Sequence, residues 1–185
     1  MKKLLLTITV LVLLLTSLFV LTGCENKDSN NETKVETVEP AKDVDPTLVK
    51  INNLEFHVNK EAEFHGLNYI VVPDFKEVNQ DMFTPYVQYN HLTDDGNLLY
   101  FRIFYYEGKP DTNSAIEDLG IQGEVTLSDG KNDNLEYKFY GPAREDGGTM
   151  HYYFIEHEGS TFALTFTSKY DIKDFEEKVV KSLKF

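Results

Sequence analysis

Residues 98–106, Leu-Leu-Tyr-Phe-Arg-Ile-Phe-Tyr-Tyr, decide how the folded part of this chain is built. In an extended strand successive side chains alternate between faces. Leu99, Phe101, Ile103 and Tyr105 therefore share one side, and Leu98, Tyr100, Phe104 and Tyr106 the other. A strand apolar on both faces belongs in the centre of a sheet covered on both sides. Residues 86–92 read as its neighbour, joined through Asp94-Asp95-Gly96-Asn97, where Gly96 can take the positive φ that a hairpin turn requires.

Working outward, residues 49–58 and 67–72 read as strands separated by a charged stretch around Lys60, Glu61 and Glu63, and Pro73-Asp74 stops the second. Residues 75–84 read as a loop with a helical turn. After Gly108-Lys109-Pro110 comes a short helix: Ser114 and Glu117 form a capping box, Ala115, Ile116 and Leu119 face inward, and Gly120 ends it. Strands follow at 123–127, 135–140, 150–157 and 161–167, the last two joined by a tight Glu158-Gly159 turn. The chain closes in an amphipathic helix. Asp171 is its N-cap and Tyr170 staples onto Phe175. Ile172, Phe175, Val179 and Leu183 form its buried side, leaving Lys173, Glu176, Glu177, Lys181 and Lys184 to water. The fold class is α+β, an antiparallel sheet with helices packed on its faces.

This domain occupies residues 48–185, and what precedes it has a different composition. Lys2 and Lys3 lead an uncharged, Leu-rich run over 4–20, followed by Leu21-Thr22-Gly23-Cys24. That layout is an export signal, and its end resembles the lipobox of bacterial lipoproteins. The resemblance implies that Cys24, the only cysteine, is acylated and that residues 1–23 are removed as a signal peptide. Two or more acyl chains, at about 0.8 kcal/mol per buried methylene, hold a protein stably on a bilayer. Residues 24–47 are rich in acids, Asn, Lys, Thr and Ser, have no aromatic residue and contain Pro40 and Pro46. They read as a solvated tether whose ends lie roughly 25–30 Å apart. The expected location is the extracytoplasmic face of the cell membrane.

The order of elements carries a second resemblance. The 162–166 strand runs into Asp171-Ile172-Lys173-Asp174-Phe175, the chain ends Ser182-Leu183-Lys184-Phe185, and Pro73 closes an early strand. Together these resemble the Mog1/PsbP-like family, although Phe75 stands where members commonly carry a Trp. The resemblance implies an α/β/α sandwich, a non-enzymatic role and protein partners.

Charge and residue types exclude several functions. With 18 basic against 31 acidic side chains the precursor carries −13, and removal of Lys2 and Lys3 takes the mature chain to −15. A nucleic-acid partner is not expected, because phosphate binding needs clustered Lys and Arg. One cysteine makes neither an intramolecular disulfide nor a Cys-rich zinc module. No cofactor is expected: Gly147-Gly148 lacks the Lys and Ser/Thr of a phosphate cradle, and Asp129-Gly130-Lys131-Asn132-Asp133-Asn134 departs from a calcium loop and reads as a polar hairpin loop. Of His57, His65, His91, His151 and His157, the last two share a strand face but lie roughly 20 Å apart along it, too far for joint metal ligation. No Gly-x-Ser-x-Gly elbow is present. What stands out is tyrosine. Tyr100, Tyr105, Tyr106, Tyr152 and Tyr153 are candidates for an aromatic surface that receives a protein partner or small ligand. The expected function is a membrane-anchored, non-catalytic binding module. The alternative is a hydrolase-type enzyme using carboxylates brought together by the fold, such as Glu136, Glu156 and Glu158.

Overall fold

Strand 98–106 sits inside a seven-stranded, wholly antiparallel sheet, as its two apolar faces demand. The computed structural model describes residues 45–80 and 83–185. In chain order the elements are β1 (Leu48–Ile51), β2 (Leu54–His57), β3 (Lys60–Phe64), β4 (Leu67–Val71), β5 (Lys76–Gln80), β6 (Tyr86–Leu92), β7 (Leu98–Tyr106), α1 (Thr112–Asp118), β8 (Ser128–Lys131), β9 (Glu136–Tyr140), β10 (Thr149–His157), β11 (Ser160–Ser168) and α2 (Lys173–Ser182). The large sheet has the order β5-β6-β7-β11-β10-β9-β8, while β1-β2 and β3-β4 are separate hairpins. Helices and a predominantly antiparallel sheet make this an α+β fold.

The two sheet faces are covered unequally. On one, Phe101, Ile103, Leu164 and Phe166 are wholly buried with Val49, Leu67, Phe175 and Val179 in a single core. The Phe101 ring stacks on Phe166 at 4.8 Å and meets Phe175 edge-on at 6.4 Å. Beside them the Tyr69 and Tyr89 hydroxyls bond each other at 2.8 Å, and burial pushes Tyr89 up to about 12. On the other face a smaller cluster gathers Tyr106, Phe154 and Ala163 under Ala115 of α1. That seven-residue helix covers one end of the face only.

Several local expectations need correction. Residues 49–58 are not one strand: Asn52 takes φ +56 and folds them into the β1-β2 hairpin. The charged stretch at Lys60 is itself a strand, β3, paired with β4, and its polar side chains reflect exposure on one face. Residues 76–80 form β5 at the sheet edge, not a helical turn. Residues 123–127 make no strand; pairing begins at Ser128, so Asp129, Gly130 and Lys131 lie in β8, and the loop is confined to the turn after Asn132. Helix α1 is capped by Asp111, whose Oδ1 accepts from Ser114 N–H at 3.0 Å, in place of the Ser114–Glu117 box. The N-cap of α2 is Ile172, though Asp171 Oδ1 still accepts from Lys173 N–H at 2.9 Å. The Glu158-Gly159 turn is as expected, with φ +47 and +77. Asp95, exposed in the β6-β7 turn, accepts hydrogen bonds from the Thr93 and Tyr170 hydroxyls, which hold its carboxyl well below the usual range.

One side chain fixes α1 to the sheet. Glu156 Oε1 on β10 accepts from Thr112 N–H at 2.9 Å, Thr112 Oγ1 at 2.8 Å and Lys138 Nζ at 2.8 Å. Those bonds, the one from Lys138 foremost, lower its pKa below 4.5. A carboxyl lowered on folding stabilises the native state above its unfolded pKa, and that contribution is lost as pH falls through the folded one. Glu156→Gln should therefore lower the urea midpoint clearly at pH 7 and much less at pH 3. Equal losses at both would show that the charge is not the source.

Candidate functional site

The terminal helix places an acid where its apolar stripe faces the sheet. Glu176 lies four residues after Ile172 and four before Val180, both buried, so helical spacing puts it on the inward side. It is 4% exposed, which corrects its assignment to water. Burying a carboxylate requires partners, and β10 supplies them. The Tyr153 hydroxyl donates to Glu176 Oε1 at 2.5 Å, and His151 Nδ1 lies 2.7 and 2.9 Å from the two oxygens. Because an ionised carboxylate only accepts, the proton belongs on His151 Nδ1. Burial, reinforced by the bond to Glu176, pushes the Tyr153 phenol well above its ordinary value.

This network forms the floor of a groove of about 630 Å³ between β9, β10, α2 and the turn after β8. Tyr137, Phe139 and Tyr153 make an aromatic wall with centroids 5.0–5.2 Å apart. His151 meets Phe139 edge-on at 5.1 Å. Gly141 permits that packing, since a Cβ there would lie 2.6 Å from Phe139 and 2.9 Å from His151. The rim alternates sign through Lys131, Asp133, Lys173, Glu177 and Lys181. Asn132 closes one end: its side-chain nitrogen donates to the Val180 and Leu183 carbonyls at 2.8 and 3.0 Å, while its oxygen accepts from Asn134 and Leu135 N–H. Chemically, the groove offers aromatic stacking beside an imidazole of fixed tautomer. Its Nε2, which has no hydrogen-bond partner among the described residues, can accept a proton or a hydrogen bond.

The five candidate tyrosines do not form one surface. Tyr105 and Tyr153 belong to the large core, Tyr105 stacking on His65 at 4.2 Å. Tyr106 is 4% exposed beneath α1. Only Tyr100 and Tyr152 are half-exposed on the part of the opposite face that α1 leaves bare. Among the candidate acids, Glu136 and Glu156 line a shallow groove along β8-β10, whereas Glu158 lies in the β10-β11 turn. His157 stacks on Phe185 at 3.5 Å, and among the described residues no three His, Asp or Glu converge on a metal position. Cys24, with Leu21, Thr22 and Gly23, lies outside the described residues, and no described helix is long and apolar enough to cross a membrane. No family model, curated protein or solved structure matches the chain.

Hydrogen bonds to a charged group contribute about 1.5–3 kcal/mol each, so Glu176→Gln should cost about 2 kcal/mol in urea unfolding at unchanged m. Proton-detected nitrogen shifts of His151 should also lose the Nδ1–H signature. A variant as stable as the parent, with the tautomer retained, would refute the clamp.

Proposed function

We propose that this chain is a membrane-anchored extracytoplasmic lipoprotein whose domain is a non-catalytic module binding a small ligand in the β9-β10-α2 groove. The observation that carries the ligand site is the clamp of Glu176 on His151, which fixes an imidazole against the Tyr137–Phe139 wall of a cavity large enough for a small organic molecule. A buried polar network held in one arrangement beside concave aromatic surface is the usual construction of such a site. In support of a binding role, His151 bonds no hydroxyl nucleophile among the described residues: Thr149 Oγ1, also in the groove, donates to the Tyr170 carbonyl at 3.3 Å.

The anchor rests on the Leu21-Thr22-Gly23-Cys24 stretch, with acylated Cys24 in the bilayer and residues 24–47 as tether. The domain carries 24 acids against 13 basic residues, a net of −11, so an anionic membrane surface repels it. In this reading lipid and tether keep it in place. The α/β/α sandwich of the Mog1/PsbP-like family is part of the same proposal. It is supported by the closing Ser182-Leu183-Lys184-Phe185 sequence and by α1 and α2 lying at opposite faces of the sheet.

Grown with an alkynyl palmitate, cells should label the full chain and leave Cys24→Ala unlabelled; label surviving in the variant contradicts the anchor. In a thermal-shift screen of small organic molecules, hits should raise the melting temperature of the full chain by several degrees. They should lose that effect in His151→Ala and in Lys173→Trp, which adds an indole at the rim. A screen without hits, or hits indifferent to both substitutions, contradicts the groove.

A further inference from the structure

The sheet face away from α2 carries a second constellation, independent of the groove. Register aligns Tyr152, Thr165, Arg102 and Gln88 in one row across β10, β11, β7 and β6. The neighbouring row aligns Met150, Thr167, Tyr100 and Asn90. Arg102 stands in a box of rings, its guanidinium carbon 5.0 Å from the Tyr100 centroid, 5.4 Å from Phe104 and 5.5 Å from Tyr86. Its Nε donates to Gln88 Oε1 at 2.5 Å, and Gln88 Nε2 donates to Asn90 Oδ1 at 2.6 Å. The side chain is thus oriented by neutral groups alone.

What is missing among the described residues is an acid. The chain has two arginines; Arg144 pairs with Asp146 at 2.6 Å, whereas no carboxylate among the described residues lies within ion-pair distance of Arg102. In a domain of net −11 such an arginine, its two terminal nitrogens without hydrogen-bond partners among the described residues, is a directed site for a planar anion. Arginine binds carboxylates through paired N–H donors, and flanking rings strengthen the cation's hold on its position. One cation matches the single charge of a carboxylate better than a phosphate dianion. The surroundings determine the body of the ligand. A shallow groove of about 380 Å³ mixes half-exposed rings with Thr165 and Thr167, and Gln88 and Asn90 adjoin it in register. A fatty carboxylate would leave the threonine hydroxyls and the Asn90 amide nitrogen unanswered, the Gln88 amide being bonded already at both ends. A sugar ring uses both, laying C–H bonds on the negative ring faces and hydroxyls on the polar side chains.

We propose that this face binds a carboxylated saccharide of the uronic-acid class, with the carboxylate on Arg102 and the sugar ring on Tyr100. Saturation-transfer NMR on the full chain with glucuronate, glucose, benzoate and a short Asp peptide tests it. Glucuronate should bind at least tenfold more tightly than glucose, benzoate or the peptide. Arg102→Gln should reduce it to the glucose level and Tyr100→Ala should weaken it, with circular dichroism unchanged, while His151→Ala leaves it intact. The comparison of sugars on the unsubstituted protein does not depend on any variant folding. Equal binding of glucose, tighter binding of benzoate or the peptide, or indifference to Arg102→Gln would overturn the proposal.

Discussion

A strand that is apolar on both sides cannot sit at an edge, and β7 imposes that constraint on the whole domain. Its two faces require neighbours on either side and cover above and below, yet the chain supplies cover asymmetrically. The face bearing Phe101 and Ile103 receives α2 and both small hairpins, which cover it except at the groove over β9 and β10. The face bearing Tyr106 receives only the seven residues of α1. Removing Phe101, which touches Phe166, Phe175, Tyr69 and Tyr89, would cost about 3–5 kcal/mol, a large part of the stability of a domain this size. The covered side is thus where the fold is held, and surface for recognition is left at its β9-β10 margin and on the bare remainder of the other side.

The site beside α2 grows from the same asymmetry. The helix must lie on the sheet to bury Phe175 and Val179, and its inward flank carries Glu176 down with them. An acid there is tolerable only because His151 and Tyr153 meet it with an N–H and an O–H. In the proposed ligand site the same pairing would present the imidazole's other nitrogen in a fixed state, so that one hydrogen-bond network would serve both the fold and the ligand.

Most of the sheet was legible because periodicity of two is hard to mistake when the apolar set is aromatic or β-branched: β6, β7, β10 and β11 fall within a residue of their expected bounds. Polar edge strands were not. β3 and β5 carry too few apolar residues to signal a face, so Lys60-Glu61 and Lys76-Glu77 read as loop. The 123–127 stretch alternates like a strand but packs without pairing, its Leu127 lying against the α1 cluster. Glu176 was recoverable in principle from its spacing to Ile172 and Val180. Residue type outweighed position, and only the partners on β10, distant in sequence, resolve the conflict. Arg102 was hidden for the complementary reason: within a strand of aromatic residues a single cation has no sequence signature, and its lack of an acid among the described residues emerges only from the fold.

The closed and open faces of the sheet are the basis of both proposed sites, and side-chain solvent access measures them directly. Hydroxyl-radical footprinting of the purified full chain should oxidise Tyr86, Tyr100 and Tyr152 readily while leaving Tyr69 and Tyr89, on the covered face, protected until the protein unfolds. Protection of Tyr100 and Tyr152 equal to that of Tyr69, or ready oxidation of Tyr89 in the native state, would contradict the arrangement described.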